Sequence, residues 1–286
     1  MKIGVVYPQI ELNGDPDSVR QIALATEELG FDHLLAYDHV VGAVHADRDP
    51  KLMGPYNEQH PFHDPFVLFS HVAAITTRIE LVTGVIILPQ RQTALVAKQA
   101  AGVDLFSGER FRMGVGTGWN HVEYDALGQD FATRGKRCDE QIEYLRRLWT
   151  GEVLDWTGDF DRVERGNSLP APKRQIPLWV GGFSPPAFRR GARLGDGFIF
   201  AGTDEAAFSH LAQMKELLAQ NDRDQSTFGL EFMMTGARSA DAAVEWAERW
   251  EEAGGTHATV VTMNMGLDST EAHLDYINQV NSRLGR

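Results

Sequence analysis

The chain has 286 residues, 43% of them hydrophobic, which is enough to bury one large core as a single domain over residues 1–286. Its formal charge of −13 repels nucleic acid and anionic membranes, so we expect neither as a partner. A single cysteine, Cys138, excludes an internal disulfide, and neither a signal peptide nor a membrane-spanning run follows Met1, so we expect a cytoplasmic protein.

Short apolar segments alternate with amphipathic ones along the whole chain. In chain order, the first half is predicted as a strand over 2–7, a helix from Asp15 to Gly30, a strand over 33–36, a polar loop over 40–62, a helix over 66–77, a strand over 80–88, a helix over 93–106 and a strand over 111–115. The second half is predicted as a helix over 133–149, an irregular excursion over 151–175, then strands over 176–180, 197–200, 228–234 and 257–263, each followed by a helix, over 185–194, 205–219, 241–253 and 270–284.

Eight alternations of strand and helix predict an α/β protein with a parallel sheet. Eight units in 286 residues favour a closed (β/α)₈ TIM barrel, with the excursion inserted after the fourth βα unit. A doubly wound open sheet is the alternative. It is typical of fewer units and of a glycine-rich turn after the first strand, and residues 8–13 contain no glycine.

In such a barrel the carboxyl ends of the strands form one mouth, where active sites lie. The residues that this places together are Tyr7, Asp38, His39, Gly84, Gly116, Thr117, Gly118, Trp119, Asn120, Gly181, Gly182, Phe183, Ser184, Ala201 and Gly202. Glycines let a ligand approach the backbone closely, and free N–H groups at a helix start favour negative charge. The pattern indicates a site for a large flat ligand with an anionic tail.

His39 can exchange a proton near neutral pH, or it can merely order the loop that follows it. Asp38 can bond a ring N–H of a ligand or cap the loop backbone, and Trp119 is either a lid over a ring or a wedge under a loop. A metal site is not expected, because no H-x-H or H-E-x-x-H is present and His33 is predicted to point away from the mouth. The sequence also lacks G-x-S-x-G, a phosphate-binding P-loop and a pair of acids at strand ends.

Five segments together resemble the bacterial luciferase-like superfamily of flavin and deazaflavin barrels, and most closely its actinobacterial branch that uses coenzyme F420. They are GFDHLLAYDH (30–39), ELVTGVIILPQR (80–91), AKQAAGVDLFSGERFRMGVGTGWNHVEYDALG (97–128), RGKRCDEQIEYLRRLWTG (134–151) and IPLWVGGFSPPAFRRGARLGDGF (176–198). The resemblance covers nearly the whole chain.

The resemblance implies that the tricyclic ring of a cofactor binds at the mouth, against a bulge made by a non-prolyl cis bond between Gly84 and Val85. It implies that Asp38 contacts the ring or its ribityl neighbourhood, and that His39 stands near the reactive carbon. The remaining implied contacts are Gly116, Thr117, Gly118 and Asn120 along the ribityl chain, and backbone N–H groups of Gly181, Gly182, Phe183 and Ser184 on the phosphate.

The function implied is hydride transfer between F420 and an unidentified small organic substrate. An FMN-dependent monooxygenase is the alternative within the family, and a non-catalytic cofactor-binding protein is the alternative outside the enzymes. Trp119 stands where the sugar-phosphate dehydrogenase branch carries a glutamate, so the resemblance does not imply glucose-6-phosphate as substrate. The candidates for binding the acidic oligoglutamyl tail of F420 are Arg91, Lys173, Arg189 and Arg190, and we expect a homodimer from the family.

Overall fold

The computed structural model describes residues 1–285, and parallel strands surrounded by helices make up most of them. The strands are β1 (Lys2–Val6), β2 (His33–Ala36), β3 (Glu80–Thr83), β4 (Ile86–Ile87), β5 (Phe111–Gly116), β6 (Leu154–Thr157), β7 (Arg162–Gly166), β8 (Leu178–Gly181), β9 (Gly197–Ala201), β10 (Gly229–Met233) and β11 (His257–Val260). The helices are α1 (Pro16–Glu28), α2 (Pro65–Ile75), α3 (Thr93–Ser107), α4 (His121–Ala126), α5 (Arg134–Leu148), α6 (Pro185–Leu194), α7 (Asp204–Gln220), α8 (Ala240–Glu252) and α9 (Thr270–Arg283).

Eight of these strands close into a barrel. Neighbouring strands follow the order β3-β2-β1-β11-β10-β9-β8-β5, and β5 pairs back with β3 in parallel, with Leu81 opposite Phe111. The predicted TIM barrel is therefore confirmed, and the alternative of an open doubly wound sheet is excluded. Strand β4 continues β3 beyond a cis peptide bond between Gly84 and Val85, and it too pairs with β5.

Three local predictions are corrected by the structure. The strand expected over residues 80–88 is interrupted at Gly84, because the chain bulges there before pairing resumes at Ile86. A short helix, α4, follows the glycine turn where only a polar segment was expected. The stretch 151–175, expected to be irregular, carries the antiparallel hairpin β6–β7, which forms a sheet of its own. Trp156 of that hairpin stacks on Tyr144 of α5, with ring centroids 5.1 Å apart, and this contact holds the hairpin to the helix layer.

Two helices, α1 and α2, begin at an Asp-Pro pair in the sequence. Asp15 and Asp64 each accept hydrogen bonds from the first-turn N–H groups of α1 and α2, and a proline follows each cap. Proline costs nothing at that position, because its missing N–H would have had no partner inside the helix. These two helices therefore begin where Asp-Pro occurs, immediately after the loops that rise from the barrel mouth.

The end of the barrel opposite the mouth is filled by a buried ionic cluster. Glu231 lies on the interior of β10, where Arg112 donates to it at 2.5 Å and His33 contacts it at 2.8 Å. The guanidinium of Arg112 also lies 3.9 Å from the ring centroid of Trp179. His33 is thus inside the barrel and far from the mouth, as expected. The buried charge pairs lie at this end and the glycines lie at the mouth, so a stabilising end is separate from a binding end.

No helix within residues 1–285 combines the length and the apolar composition needed to cross a bilayer.

Candidate active site at the mouth of the barrel

His39 lies just beyond β2, with 11% of its side chain exposed. Three aromatic rings surround its imidazole, at centroid distances of 4.8 Å to Phe62, 5.2 Å to Tyr56 and 5.7 Å to Trp119. Within residues 1–285 no group hydrogen-bonds to its Nε2 atom, whereas Nδ1 is engaged. A half-enclosed imidazole with one nitrogen held and the other available is suited to transferring a proton.

Glu123, on the first turn of α4, holds that imidazole. Its Oε1 and Oε2 atoms lie 3.2 and 3.3 Å from Nδ1 of His39, and its side chain is only 1% exposed. Burial by itself raises the pKa of this carboxyl, but the bonds from His39 and from the backbone of Val40 and Val41 outweigh burial, and the pKa is lowered. The sequence-based prediction did not identify this pairing. The only local signal is the spacing Asn120-x-x-Glu123, typical of a helix start, and the carboxylate reaches across to the β2 loop instead.

Asp38 is buried behind the mouth. Its side chain is 0% exposed, Oδ2 accepts the N–H of Ile87 at 2.9 Å, and Oδ1 accepts a bond from Arg91 at 2.6 Å. Arg91 also donates to Asp64, the cap of α2, so one guanidinium ties the end of β2 to the start of that helix. The backbone group that Asp38 binds belongs to Ile87 of β4, and not to the loop over residues 40–62 whose backbone it was considered to cap. A direct contact between its carboxylate and a ligand stays a prediction that these bonds do not favour.

Val85 forms the floor of the mouth, and the glycines around it leave it room. The expected cis bond between Gly84 and Val85 is present. A Cβ atom at Gly116 would fall 2.7 Å from Cγ2 of Val85, and one at Gly181 would fall 2.8 Å from Cγ1. Real Cβ atoms do not approach carbon so closely, so both glycines are required by this side chain. Val85 itself is half-buried, and it packs at the edge of an apolar cluster with Ile10, Tyr56 and Phe62.

The glycine turn after β5 is only partly available to a ligand. Thr117 and Gly118 are half-buried, and the carbonyl of Thr117 accepts the hydroxyl of Tyr124 at 2.6 Å. Asn120 is buried, caps α4 through the N–H of Val122 and donates to the carbonyl of Val41. The turn therefore presents backbone and the Thr117 side chain to the mouth, while the Asn120 side chain connects α4 to the loop over residues 40–62.

The segment from Gly181 to Ser184 lies between β8 and α6. Phe183 is 71% exposed, and within residues 1–285 the N–H groups of Phe183 and Ser184 have no partner. Ser184 makes no side-chain capping bond, and α6 begins with Pro185 and Pro186, which lack N–H groups. Any anion bound here would therefore meet loop N–H groups and the positive end of the helix dipole rather than the N–H groups of the helix itself.

The loop over residues 40–62 forms one wall of the site. A Cβ atom at Gly54 would fall 2.4 Å from the ring of Trp119, so this tryptophan packs under the loop as a wedge. The other predicted role, a lid over a bound ring, stays a prediction. A small cavity opens beside His39 between the loop and α4, with an empty volume of about 170 Å³. It is lined by His39, Val41, Gly42, Tyr56, Asn57, His60, Phe62 and Asn120.

A groove with several arginines lies between α6 and the end of α7. It is lined by Asp139, Pro186, Arg189, Arg190, Arg193, Leu217, Gln220 and Asn221. Arg190 and Arg193 are both paired with Asp139, whereas Arg189 has no hydrogen bond or ion pair within residues 1–285. Of the other two cationic candidates, Arg91 is engaged by Asp38 and Asp64, and Lys173 is exposed on the segment before β8.

The chain is similar to known proteins over most of its length. The profile of the family described as luciferase-like monooxygenase matches residues 2–280. An uncharacterised protein of Mycobacterium tuberculosis is 32% identical over 255 residues, which cover 87% of each chain. An F420-dependent glucose-6-phosphate dehydrogenase of Gordonia bronchialis is 30% identical over 192 residues, which cover 65% of this chain and 53% of that enzyme.

Two solved structures share the fold over nearly their whole length. One is an F420-dependent secondary alcohol dehydrogenase in complex with an F420–acetone adduct, with a TM-score of 0.79 at 15% identity, covering 98% of this chain and 97% of that one. The other is the oxygenating constituent of 3,6-diketocamphane monooxygenase from Pseudomonas putida in complex with FMN, with a TM-score of 0.75 at 14% identity, covering 98% and 96%.

Proposed function

The chain belongs to the luciferase-like monooxygenase family, and on that premise we propose that it transfers a hydride between coenzyme F420 and a small organic substrate. The observation that carries the proposal is the placement of His39. Its Nε2 atom has no partner within residues 1–285, and its side chain lines a small cavity together with Tyr56 and Phe62, which pack against the same apolar cluster as Val85. A proton donor or acceptor beside a flat binding surface is what the oxidation of an alcohol or the reduction of a carbonyl requires.

The residues at the mouth fit a large flat cofactor with a phosphate. Val85 offers a half-buried apolar surface for one face of a ring, and Phe183 and Ser184 offer N–H groups that have no partner within residues 1–285. Gly202 follows β9, and apart from its two chain neighbours no atom of the described residues lies within 4 Å of where its Cβ would be, so the rim is open on that side. When bound, the cofactor would supply the hydride chemistry, and the protein would supply position and proton transfer.

His39 would take the hydroxyl proton of an alcohol during oxidation, or give one to a carbonyl oxygen during reduction. The rings of Tyr56, Phe62 and Trp119 exclude water from three sides of the imidazole, and the loop over residues 40–62 carries Tyr56 and Phe62. Trp119 replaces the glutamate of the sugar-phosphate branch, so glucose-6-phosphate is not the substrate that we propose.

The arginine groove supports F420 over FMN. F420 carries an acidic oligoglutamyl tail beyond its phosphate, whereas FMN ends at the phosphate. Pro186, which lines the groove, is two residues after the proposed phosphate contact at Ser184, and within residues 1–285 the guanidinium of Arg189 has no partner. On a chain with a formal charge of −13, a groove with an unpaired cation is a distinctive place for an anionic tail.

We also propose that the protein is a homodimer. Val67 on α2 and Leu95 and Phe106 on α3 are large apolar side chains exposed by 69%, 52% and 76%. These two helices pack side by side, so their outer faces form one surface. Covering such side chains with a second copy of the chain would remove them from water.

Titration of the purified protein with F420 and with FMN, followed by fluorescence, tests the cofactor. We expect tighter binding of F420, and tighter binding of FMN would favour the monooxygenase alternative. A panel of small alcohols, aldehydes, enones and nitro compounds then tests turnover of the bound F420. Binding without turnover of any member of this panel would favour a non-catalytic protein that stores or shields the coenzyme.

A further inference from the structure

Glu123 accepts hydrogen bonds from donors on two segments, residues 39–41 and Gln90. Its Oε1 atom accepts the N–H of Val40 at 2.7 Å and that of Val41 at 3.2 Å. Its Oε2 atom lies 3.3 Å from the amide nitrogen of Gln90 and 3.3 Å from Nδ1 of His39. Every one of these partners is placed to donate, which is what an ionised carboxylate needs, because it has no proton of its own to give.

This arrangement decides which nitrogen of His39 carries the proton. A neutral imidazole has one N–H and one bare nitrogen, and the partner of one nitrogen fixes the state of the other. Since a carboxylate accepts only, Nδ1 must be the protonated nitrogen, and Nε2 must be bare. Tyr56, Phe62 and Trp119 contact the faces and edges of the ring, and among residues 1–285 none of them competes for either nitrogen.

We propose that Glu123 is a positioning residue, which holds His39 as the Nδ1–H tautomer and so leaves Nε2 as the atom that accepts the substrate proton. The proposal rests on the role of His39 in the proposed function. Glu123 does not itself touch the ligand space, because its side chain is 1% exposed. It acts through the imidazole, and its bonds to Val40 and Val41 fix the start of the loop over residues 40–62 at the same time.

During alcohol oxidation Nε2 of His39 would accept the hydroxyl proton while the carbinol carbon loses its hydride, and the cofactor, when bound, would supply the acceptor that this hydride reduces. The imidazolium formed carries a positive charge beside the Glu123 carboxylate, which stabilises it. In the reduction direction the same imidazolium returns the proton to the oxygen.

Nuclear magnetic resonance on protein labelled with ¹⁵N-histidine, without any cofactor, tests the tautomer directly. Correlations between the ring nitrogens and ring protons distinguish a protonated Nδ1 from a protonated Nε2, and the signals missing from His39→Gln identify His39. We expect Nδ1 to be protonated in the parent protein at a pH where His39 is neutral. A protonated Nε2 in the parent would overturn the proposal without any variant being needed.

Glu123→Gln should shift His39 towards the reversed tautomer. Its amide oxygen has to stay with the two backbone N–H groups at the Oε1 position, 3.2 Å from Nδ1, so its NH₂ group takes the Oε2 position, 3.3 Å from Nδ1, and donates there. Nδ1 then faces a donor as well as an acceptor, and the fraction of His39 that carries the proton on Nε2 should rise. Glu27→Gln is the matched control, since Glu27, like Glu123, accepts hydrogen bonds from successive backbone N–H groups. In Glu27 they are those of Thr77, Arg78 and Ile79, far from the mouth. His39 should keep its tautomer in Glu27→Gln, and an unchanged tautomer in Glu123→Gln would overturn the proposal.

The turnover number kcat and the dissociation constant of F420 are the second measurement. With F420 and a substrate found by the panel, Glu123→Gln should lower kcat by ~10²–10⁴-fold, as expected for loss of a positioned base, with the dissociation constant of F420 changed less than about threefold. Glu27→Gln should leave both values unchanged. If the tautomer shifts but kcat does not fall, Glu123 does not act on catalysis and the proposal fails. If no substrate is found, the proposed function fails while the tautomer result still stands.

Discussion

Cγ2 of Val85 lies 2.7 Å from where a Cβ atom at Gly116 would be, so the two positions cannot both carry ordinary side chains. The glycine that ends β5 is therefore matched to the valine between β3 and β4, two strands that both pair with β5. The same valine excludes a Cβ at Gly181 on the other side, at 2.8 Å. Two glycines that the sequence suggested for ligand approach are thus also required by a packing contact.

This contact predicts a coupling between the two positions. Gly116→Ala should lower the free energy of unfolding by ~1–3 kcal/mol, because the new methyl group overpacks against Val85. Adding Val85→Ala should restore part of that loss, since it removes the colliding methyl groups. Urea unfolding of the two single variants and the double variant measures the coupling. Strictly additive losses would contradict the contact.

Replacing His39 should affect turnover rather than cofactor affinity. His39→Gln keeps a hydrogen-bonding side chain but cannot take a proton at neutral pH, so turnover should fall by ~10²–10⁴-fold. Steady-state kinetics and an F420 titration measure both quantities. His60→Gln is the matched control, because His60 lines the same cavity while its Nδ1 is bonded to the N–H of Asn57. Equal turnover in His39→Gln and the parent would assign His39 to ordering the loop.

Reversing the charge of Arg189 should separate F420 from FMN. Arg189→Glu should weaken binding of F420 by ~3–10-fold, the effect of one exposed charge pair, and leave FMN binding unchanged. Arg162→Glu is the control, because Arg162 is 73% exposed on the β6–β7 hairpin and lies outside the groove. Fluorescence titrations at low and at high salt measure the effect. An equal loss of affinity for both cofactors would mean that the oligoglutamyl tail of F420 does not bind at Arg189.

The ionic cluster at the closed end of the barrel should contribute strongly to stability. Glu231→Gln leaves Arg112 buried without its main counter-charge, and should cost ~3–5 kcal/mol at pH 7. Glu80→Gln removes the other partner of Arg112, but Glu80 is 24% exposed, so that variant should cost less than ~1 kcal/mol. Urea unfolding measures both variants. Equal costs would mean that burial does not distinguish the two partners.

The same cluster predicts how the loss of unfolding free energy in Glu231→Gln varies with pH. Burial raises the pKa of Glu231, but Arg112 and His33 outweigh burial and hold the pKa well below the ordinary value of 4.5. A depressed pKa in the folded state contributes stability above the unfolded value, and this stability is lost as the pH falls through the folded value. The difference between the parent and Glu231→Gln should therefore be constant above about pH 5 and shrink below pH 4.5.

The outer face of α2 and α3 should carry the dimer contact. Leu95→Asp and Phe106→Asp place charges on that face and should shift the protein towards monomer at micromolar concentration. Val153→Asp is the control, since Val153 is 67% exposed just before β6 and not on these helices. Sedimentation velocity measures the distribution. If only Val153→Asp dissociated the dimer, the interface would lie at the β6–β7 hairpin and not on α2 and α3.

Much of the fold could be predicted from local signals. Short runs rich in valine and isoleucine predicted the eight barrel strands, because strands that are buried on both faces have continuous apolar sequences. Asp-Pro pairs marked the starts of α1 and α2. The hairpin β6–β7 was missed because its strands are short and half exposed, so their apolar residues are too few to establish a period. Helix α4 was missed because it has only six residues.

By itself the sequence determined the barrel, the loops that meet at its mouth and the family, since each depends on residues close together in the chain or on their order. Only the tertiary structure decided what the polar side chains of those loops do. Glu123 pairs with His39 across 84 positions, and Asp38 turns away to Arg91 across 53. Which donor a carboxylate finds depends on how the strands and loops are brought together in space, and no local pattern in the chain records that distance.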